Sequence, residues 1–174
     1  RQRQMCIRDR SWMPTVLVPG AFTKTIRESG HKVKLLHQHE MTEPIGKPLS
    51  LSETAAGLMV EGKISQTSRG KDDLILIRDG VIDELSIGFD PIDGKQELLP
   101  LSKAIEQGYL SKPEQWAEYD ENEMVRILRE VRLWEISLVT WAADPMAKIQ
   151  SVHAVVPYQD LPLADEDRAW DAGA

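Results

Sequence analysis

The sequence is poor in the residues that disulfide-stapled, secreted and membrane-spanning proteins need. It has one cysteine, Cys6, in 174 residues, which excludes an internal disulfide framework and fits a reducing compartment. Its longest apolar runs, such as Leu74 to Ile77, are far shorter than the roughly 18 residues of a membrane span. No apolar segment follows the basic N-terminus, as one would in a signal peptide. We therefore expect neither a membrane span nor a secretory leader.

Excess positive charge is also absent. The formal net charge is −7, and lysine and arginine form no cluster, so we expect no nucleic-acid partner. A chain of 174 residues that is 41% hydrophobic can bury one good core, which predicts a single domain.

The two ends differ from the rest of the chain. The run M-C-I-R-D-R at Met5 to Arg10 resembles the translation of an adapter used in preparing sequencing libraries, so we expect residues 1–10 to be non-native. The last residues, 157–174, are acidic and poorly patterned, which predicts a flexible tail. The folded domain is then 11–156, and its least patterned part, 93–123, is expected to be a variable insertion.

Between these ends, short strand-like segments alternate with a few short helix-like segments. Phe22 and Ile26 are spaced for a helix that Gly30 would end, and a second helix is predicted from Thr67 or Ser68 to Gly80. A third short helix is predicted at Leu101 to Gln107. The pattern predicts an α+β fold, a small and mostly antiparallel β-barrel with a few short surrounding helices.

The stretch D-E-L-S-I-G-F-D at Asp83 to Asp90 has the strict alternation of a half-buried strand. Its apolar residues would face a core. The opposite face would carry a carboxylate, a hydroxyl and a glycine, namely Glu84, Ser86 and Gly88. A glycine beside a small hydroxyl leaves room for a substrate to approach Ser86.

A serine hydroxyl needs a base, usually histidine, and the base needs an acceptor that stabilises its charged form. Two other predicted strands supply these groups. Lys32 to His39 carries His37 and His39 on one face, and Leu133 to Trp141 carries Glu135 and Ser137 on one face. Residue types alone leave this constellation open, because most serines in strands are surface residues without chemistry.

Five stretches in order resemble the prohead (capsid-maturation) serine proteases of tailed phages. They cover roughly Val16 to Val152 and read V-L-V-P-G-A-F, V-K-L-L-H-Q-H-E with P-I-G-K-P, G-L-M-V-E-G-K-I, D-G-V-I-D-E-L-S-I-G-F and L-W-E-I-S-L-V-T-W-A-A-D-P-M-A-K-I. That family is similar in fold to the herpesvirus assemblins, which implies an assemblin-like barrel. Residues 11–156 would then be the protease domain.

The resemblance implies a serine endopeptidase without a cofactor. Ser86 would be the nucleophile, His39 the base and Glu135 the third member, with His37 as the alternative base and Ser137 as a supporting residue. The substrate would be scaffold protein, or the scaffold-like extension of the major capsid protein, and then the protease itself. The resemblance places this activity inside the phage prohead, in the bacterial host cytoplasm, and leaves a homodimer open.

Two other readings compete. His37, His39 and Glu43 mimic part of a cupin motif, whose imidazole and carboxylate ligands bind a divalent metal inside a β-barrel. Against this, the glycine expected after the glutamate and a second motif are both missing. The other alternative is a catalytically inactive capsid-assembly protein, in which Ser86 and the histidines only contribute to packing. Convergence of the three metal-ligand candidates would favour the cupin reading.

Overall fold

The computed structural model describes residues 13–54, 57–110, 119–144 and 146–152. In chain order these residues form β1 (Thr15–Leu17), α1 (Thr23–Ser29), a 3₁₀ turn (Gly30–Lys32), β2 (Lys34–His37), β3 (Pro44–Thr54), β4 (Gly57–Ile64), α2 (Ser68–Arg78), β5 (Glu84–Pro91), β6 (Gln96–Pro100), α3 (Leu101–Glu106), β7 (Met124–Leu128) and β8 (Val131–Val139). The mixed α+β class expected from the sequence is confirmed. Among the described residues, no helix is long and apolar enough to cross a membrane.

The strands pair into two sheets. One has three strands in the order β1-β7-β6, and the other has five in the order β4-β3-β2-β8-β5. Most neighbouring strands are antiparallel, but β1 pairs with β7 and β2 pairs with β8 in parallel.

The expected closed barrel is not what the described strands form. The strands at the ends of the two sheet orders have no second partner strand within the part of the chain that the structure describes. Alternating patterns predicted strands at the positions of β2, β5 and β8, but they did not predict β3, whose Pro44, Gly46 and Pro48 are atypical of a strand interior. Such patterns also could not determine whether the strand ends meet, because closure depends on tilt and register across the whole sheet.

Apolar side chains from both sheets and from α1 share one large core. Buried members include Phe22, Val33, Ile45, Leu133 and Ile136, each exposed by 4% or less. A second, smaller cluster holds α3 against β1 and β7 through Val16, Leu101, Ala104, Leu110, Val125 and Ile127. Each buried aliphatic side chain of this kind stabilises the fold by about 1.5–3 kcal/mol, so these clusters fix the positions of the strands between them.

The second helix begins and ends where the sequence predicted. The Thr67 side chain accepts a hydrogen bond from the Gly70 backbone N–H at 3.1 Å, which satisfies one of the free donors of the first turn. Gly80 follows the helix with φ +71°, the left-handed conformation that glycine adopts most readily. The predicted helices at Phe22 to Gly30 and Leu101 to Gln107 are also present, as α1 and α3.

Residues 93–123, expected to be a variable insertion, contain β6 and α3, which pack on the smaller core cluster. The sequence did not predict β6. The expected non-native segment 1–10 and acidic tail 157–174 lie outside the described residues. The dipeptide Asp144-Pro145 is typical of a helix start and predicts a short helix through Ile149. This prediction is wrong over the described residues 146–149, which are not helical and in which Lys148 bridges Glu84 of β5.

Candidate active site

The candidate site lies on three adjacent strands, β2, β8 and β5. In the β5–β8 pair, Ser86 lies directly opposite Ser137, and Gly88 lies directly opposite Glu135. Directly paired residues of neighbouring strands point to the same face of a sheet. These four residues therefore share one face, and Ser86 is half-buried on it.

A β-bulge keeps this face separate from the core. Gly88 pairs with Glu135 and Phe89 pairs with Leu133, so Trp134 is the extra residue on β8. The bulge lets Leu133 and Ile136 both face the core although they are three residues apart. Strict alternation along β8 would have placed Leu133 on the same face as Glu135.

His39 is presented by a turn that follows β2. The strand ends at His37, and Gln38 and His39 have φ values of 49° and 61°, in the left-handed region that non-glycine residues seldom adopt. Such a conformation costs on the order of 1–3 kcal/mol per residue and persists only where contacts enforce it. The sequence prediction that the strand continues through His39 is therefore wrong.

Hydrogen bonds to β8 enforce this turn. The Gln38 N–H donates to the Leu138 carbonyl at 2.9 Å, and the Gln38 side chain exchanges two hydrogen bonds with Thr140. The His39 N–H donates to Ser137 Oγ at 3.1 Å. Because the turn is tied to the strand that carries Glu135, the imidazole and the carboxylate are held in one rigid unit.

The His39 imidazole contacts the Glu135 carboxylate directly. His39 Nδ1 lies 2.8 Å from Glu135 Oε1. An ionised carboxylate only accepts hydrogen bonds, so Nδ1 carries the hydrogen and Nε2 of the neutral ring is left as an acceptor. This is the tautomer that a general base requires.

Glu135 raises the pKa of His39. The hydrogen bond to Glu135 is the largest cause, burial of the ring acts in the opposite direction, and the charge of Glu135 adds to the rise. The His39 side chain is 44% exposed, whereas that of Glu135 is 6% exposed. The pair therefore has a sheltered acid and a base that solvent and substrate can reach.

Ser137 completes a small network around the carboxylate. Its hydroxyl donates to Glu135 Oε2 at 2.6 Å and accepts the His39 N–H, and the residue is fully buried. Both oxygens of Glu135 are thus engaged, one by His39 and one by Ser137. Among the hydrogen bonds of the described residues, none joins Ser86 to His39.

His37 points away from this network. It pairs with Leu138 and Leu35 lies opposite Ile136, so His37 belongs to the core face of the sheet, opposite Ser86. Its Nδ1 lies 2.9 Å from Oδ1 of Asp73, a fully buried residue of α2. The expectation that His37 and His39 share a face is wrong, because the left-handed turn interrupts the period of the strand.

The three candidate metal ligands contact three different partners. His37 contacts Asp73, His39 contacts Glu135, and Glu43 forms an ion pair with Arg69 at 3.2 Å. Within the described ranges, no group of three histidine, cysteine or acidic side chains is arranged to hold a metal ion. The geometry gives the cupin-like alternative no support.

A cavity of about 710 Å³ opens on the other face of the sheet. Its walls include Leu85, Ile87, Ile136 and Leu138, together with residues 146–152. These strand residues point away from Ser86. The His39–Glu135 pair lies on the opposite face, with Ser86, so the candidate active site is there and not in this cavity.

Sequence reasoning missed two contributors to the site. These are Gln38 in the turn and Thr140, the residue that follows β8, which hydrogen-bond to each other. Neither residue carries a recognisable signal in the sequence. The close approach of Gly88 to Glu135 could have been suspected from the S-x-G spacing, since a glycine on the polar face of a strand often marks a close neighbour.

A His–Glu pair on the sheet face that carries a serine is the arrangement of side chains found in serine proteases. Comparison with known protein families tests this assignment. The family described as caudovirus prohead serine protease matches residues 9–99 and 102–159, and the chain belongs to that family. The resemblance drawn from the sequence motifs is thereby confirmed.

A more particular likeness is to the "Prohead protease" of Escherichia phage T5. The two chains are 29% identical over 129 residues, which cover 71% of this chain and 49% of the relative. The chain therefore spans about half the length of that relative. No solved structure matches the chain.

Proposed function

We propose that the chain is a serine endopeptidase of prohead maturation, with Ser86 as nucleophile, His39 as general base and Glu135 as the acid. The observation that carries the proposal is the 2.8 Å contact between His39 Nδ1 and Glu135 Oε1, on the sheet face where Ser86 lies. Membership of the caudovirus prohead serine protease family supports the reaction class.

In the first half of the proposed reaction, Ser86 Oγ attacks the carbonyl carbon of the scissile peptide bond. His39 Nε2 accepts the serine proton, and Glu135 stabilises the imidazolium that forms. The tetrahedral intermediate collapses when His39 returns this proton to the leaving amine. The C–N bond breaks, and the acyl group remains on Ser86 as an ester.

In the second half, water replaces the amine product. His39 Nε2 removes a proton from the water as its oxygen attacks the ester carbon, and then protonates Ser86 Oγ as the C–O bond breaks. Carboxylic acid product leaves, and the enzyme returns to its starting state. His39 is suited to both proton transfers, because its exposed ring has a free Nε2 and a fixed Nδ1.

The proposed substrates are the scaffold protein, or the scaffold-like extension of the major capsid protein, and the protease itself. The proposed place of action is the prohead interior in the bacterial host cytoplasm, and the proposal leaves a homodimer open. Support comes from the family description and from the name "Prohead protease" of the phage relative. The proposed likeness in fold to the herpesvirus assemblins rests on the sequence motifs.

The test is co-expression with the cognate scaffold and major capsid proteins, with cleavage followed by gel and mass spectrometry. Cleavage should be lost in Ser86→Ala and in His39→Ala, since losses for nucleophile or base reach about 10⁶-fold in turnover. Glu135→Gln should retain more activity, with a loss on the order of 10⁴-fold.

Ser52→Ala is the matched control, because Ser52 is an exposed strand serine on β3, outside the candidate site. It should cleave like the unmodified chain. Full cleavage by Ser86→Ala would overturn the proposal. Absence of cleavage by the unmodified chain, folded and with its cognate substrates, would favour the inactive capsid-assembly reading.

A further inference from the structure

Gly88 faces Glu135 across the β5–β8 pair, in the row next to Ser86 and Ser137. Two side chains directly opposite on a sheet normally stand side by side, with their Cβ atoms about 4.5–5.5 Å apart. Here the Glu135 side chain occupies the space that a side chain at position 88 would take. Glycine is the one residue that leaves this space open.

The overlap involves the atoms that matter for His39. A Cβ at Gly88 would lie 3.0 Å from Glu135 Cγ and Cδ and would overlap Oε1, the oxygen that contacts His39 Nδ1. Gly88 is outside the left-handed φ region, so the backbone there accepts any L-residue. What position 88 requires is space, because the three atoms nearest to a Cβ there all belong to the Glu135 side chain.

We propose that Gly88 is a positioning residue for the catalytic pair: its missing side chain lets Glu135 lie flat across β5 and reach His39. The inference rests on the proposed function of Glu135 and His39. Gly88 acts through the carboxylate and needs no contact with the substrate.

Alanine at this position should be tolerated by the fold. The three nearest atoms, which must move, belong to the Glu135 side chain and not to backbone, and alanine suits a strand at least as well as glycine does. The displaced carboxylate can swing away from β5, but it then loses the alignment with His39 that Ser137 helps to hold. Gly88→Ala should therefore impair catalysis in a chain that still folds.

The experiment measures cleavage of the purified cognate scaffold or capsid precursor by the full chain and by Gly88→Ala. We expect kcat to fall by about 10²-fold or more, the loss that a misplacement of about 1 Å can cause, with KM little changed. The acidic limb of the pH profile should move to lower pH, because the hydrogen bond that raises the His39 pKa is weakened.

Gly62→Ala is the matched control. A Cβ at Gly62 would lie 2.7 Å from Cδ1 of Leu35, so this change also adds a methyl group to a strand glycine against a flexible side chain. It lies on β4, whose strand neighbour is β3 and not β8. Gly62→Ala should leave the pH profile unchanged, which separates loss of position from general overpacking.

A second variant keeps the inference testable if Gly88→Ala unfolds. In Glu135→Ala the clashing side chain is gone, so adding Gly88→Ala should neither unfold the chain nor reduce its remaining activity further. The loss from Gly88→Ala should thus vanish in the Glu135→Ala background. Independent losses that simply multiply would overturn the inference, as would unfolding of the double variant when Glu135→Ala alone is folded.

A readout without turnover separates this inference from the proposed function. In the Ser86→Ala background, NMR titration of His39 should show a lower pKa when Gly88 is also replaced by alanine. An unchanged His39 pKa, or full cleavage by Gly88→Ala while Ser86→Ala is inactive, would overturn the role of Gly88 alone. Full cleavage by Ser86→Ala would instead overturn the proposed function.

Discussion

The Glu135 carboxylate is the most constrained group of the candidate site. One oxygen contacts His39 and the other accepts the Ser137 hydroxyl, while Gly88 leaves the space in which the side chain lies. Hydrogen bonds to both oxygens offset the cost of burying this carboxylate. The arrangement gives the imidazole a fixed partner before any substrate arrives.

Ser137→Ala should disturb both the fold and the catalytic pair. The change leaves Glu135 Oε2 without its buried donor and removes the acceptor of the His39 N–H, and an unsatisfied buried polar group costs about 1–3 kcal/mol. We expect urea unfolding to report a loss of that size and cleavage to slow.

Ser50→Ala is the control for this change. Ser50 Oγ also donates to a glutamate, Glu61, at 3.4 Å, but both residues are exposed. Its loss should alter the free energy of unfolding by well under 1 kcal/mol. Equal effects of the two substitutions would contradict the supporting role of Ser137.

The raised pKa of His39 predicts a pH dependence of the reaction. The base must be neutral to accept the serine proton, so activity should rise through a pKa above the ordinary value of about 6.5. Glu135→Gln removes the charge and the ionic hydrogen bond, and its remaining activity should rise at lower pH. An acidic limb that is the same in both proteins would contradict the pairing.

The His39–Glu135 pair should make stability fall as pH rises, whereas activity should rise with pH. Because the pKa of His39 is raised in the folded state, His39 binds a proton more tightly in the folded chain than in the unfolded chain. The stabilisation is fully present below the unfolded pKa of about 6.5 and is lost as pH rises through the folded-state pKa. Thermal unfolding followed across this window should show the trend, and Glu135→Gln should weaken it.

Between elements, His37 and Asp73 tie the end of β2 to α2. Asp73 is fully buried, and its Oδ2 has no hydrogen-bond partner among the described residues. The contact with His37 is therefore the main polar compensation for burying this carboxylate. It lies one residue before the turn that presents His39.

His37→Ala should destabilise the chain without changing its chemistry. The change leaves the buried Asp73 side chain without its hydrogen bond to the His37 ring, and an unsatisfied buried polar group typically costs about 1–3 kcal/mol. We expect lower urea resistance, partly restored when Asp73→Ala is added, and an unchanged acidic limb of the pH profile in the folded protein.

His31→Ala is the control, since His31 is exposed in the 3₁₀ turn. It should change neither stability nor cleavage. If the pH profile shifted in His37→Ala and stayed unchanged in His39→Asn, the general base would be His37 and not His39.

At the scale of the whole molecule, the five-stranded sheet separates the apolar core from the candidate active site. Its core face carries the apolar cluster and the large cavity, and its other face carries the Ser86, Glu135 and His39 groups. The segment after β8 returns to the start of β5, where Lys148 pairs with Asp83 and Glu84. That contact covers part of the outer edge of the strand that carries Ser86.

Local patterns in the sequence were sufficient for much of this molecule. Alternation along Asp83 to Asp90 predicted the two faces of β5, because the side-chain period of a strand is set by backbone geometry alone. The cap at Thr67 and the glycine at Gly80 predicted α2 for the same reason. The family motifs identified the three candidate residues in widely separated parts of the chain.

Only the tertiary structure decided how those residues meet. The turn at Gln38 and His39 is stable because β8 supplies partners about a hundred residues away, and no local pattern reports such partners. The bulge at Trp134 sets the faces of β8, and the described strands form two open sheets where a barrel was expected, because register and closure depend on many strands at once. The amino-acid sequence determined which groups are present, and long-range pairing determined which of them touch.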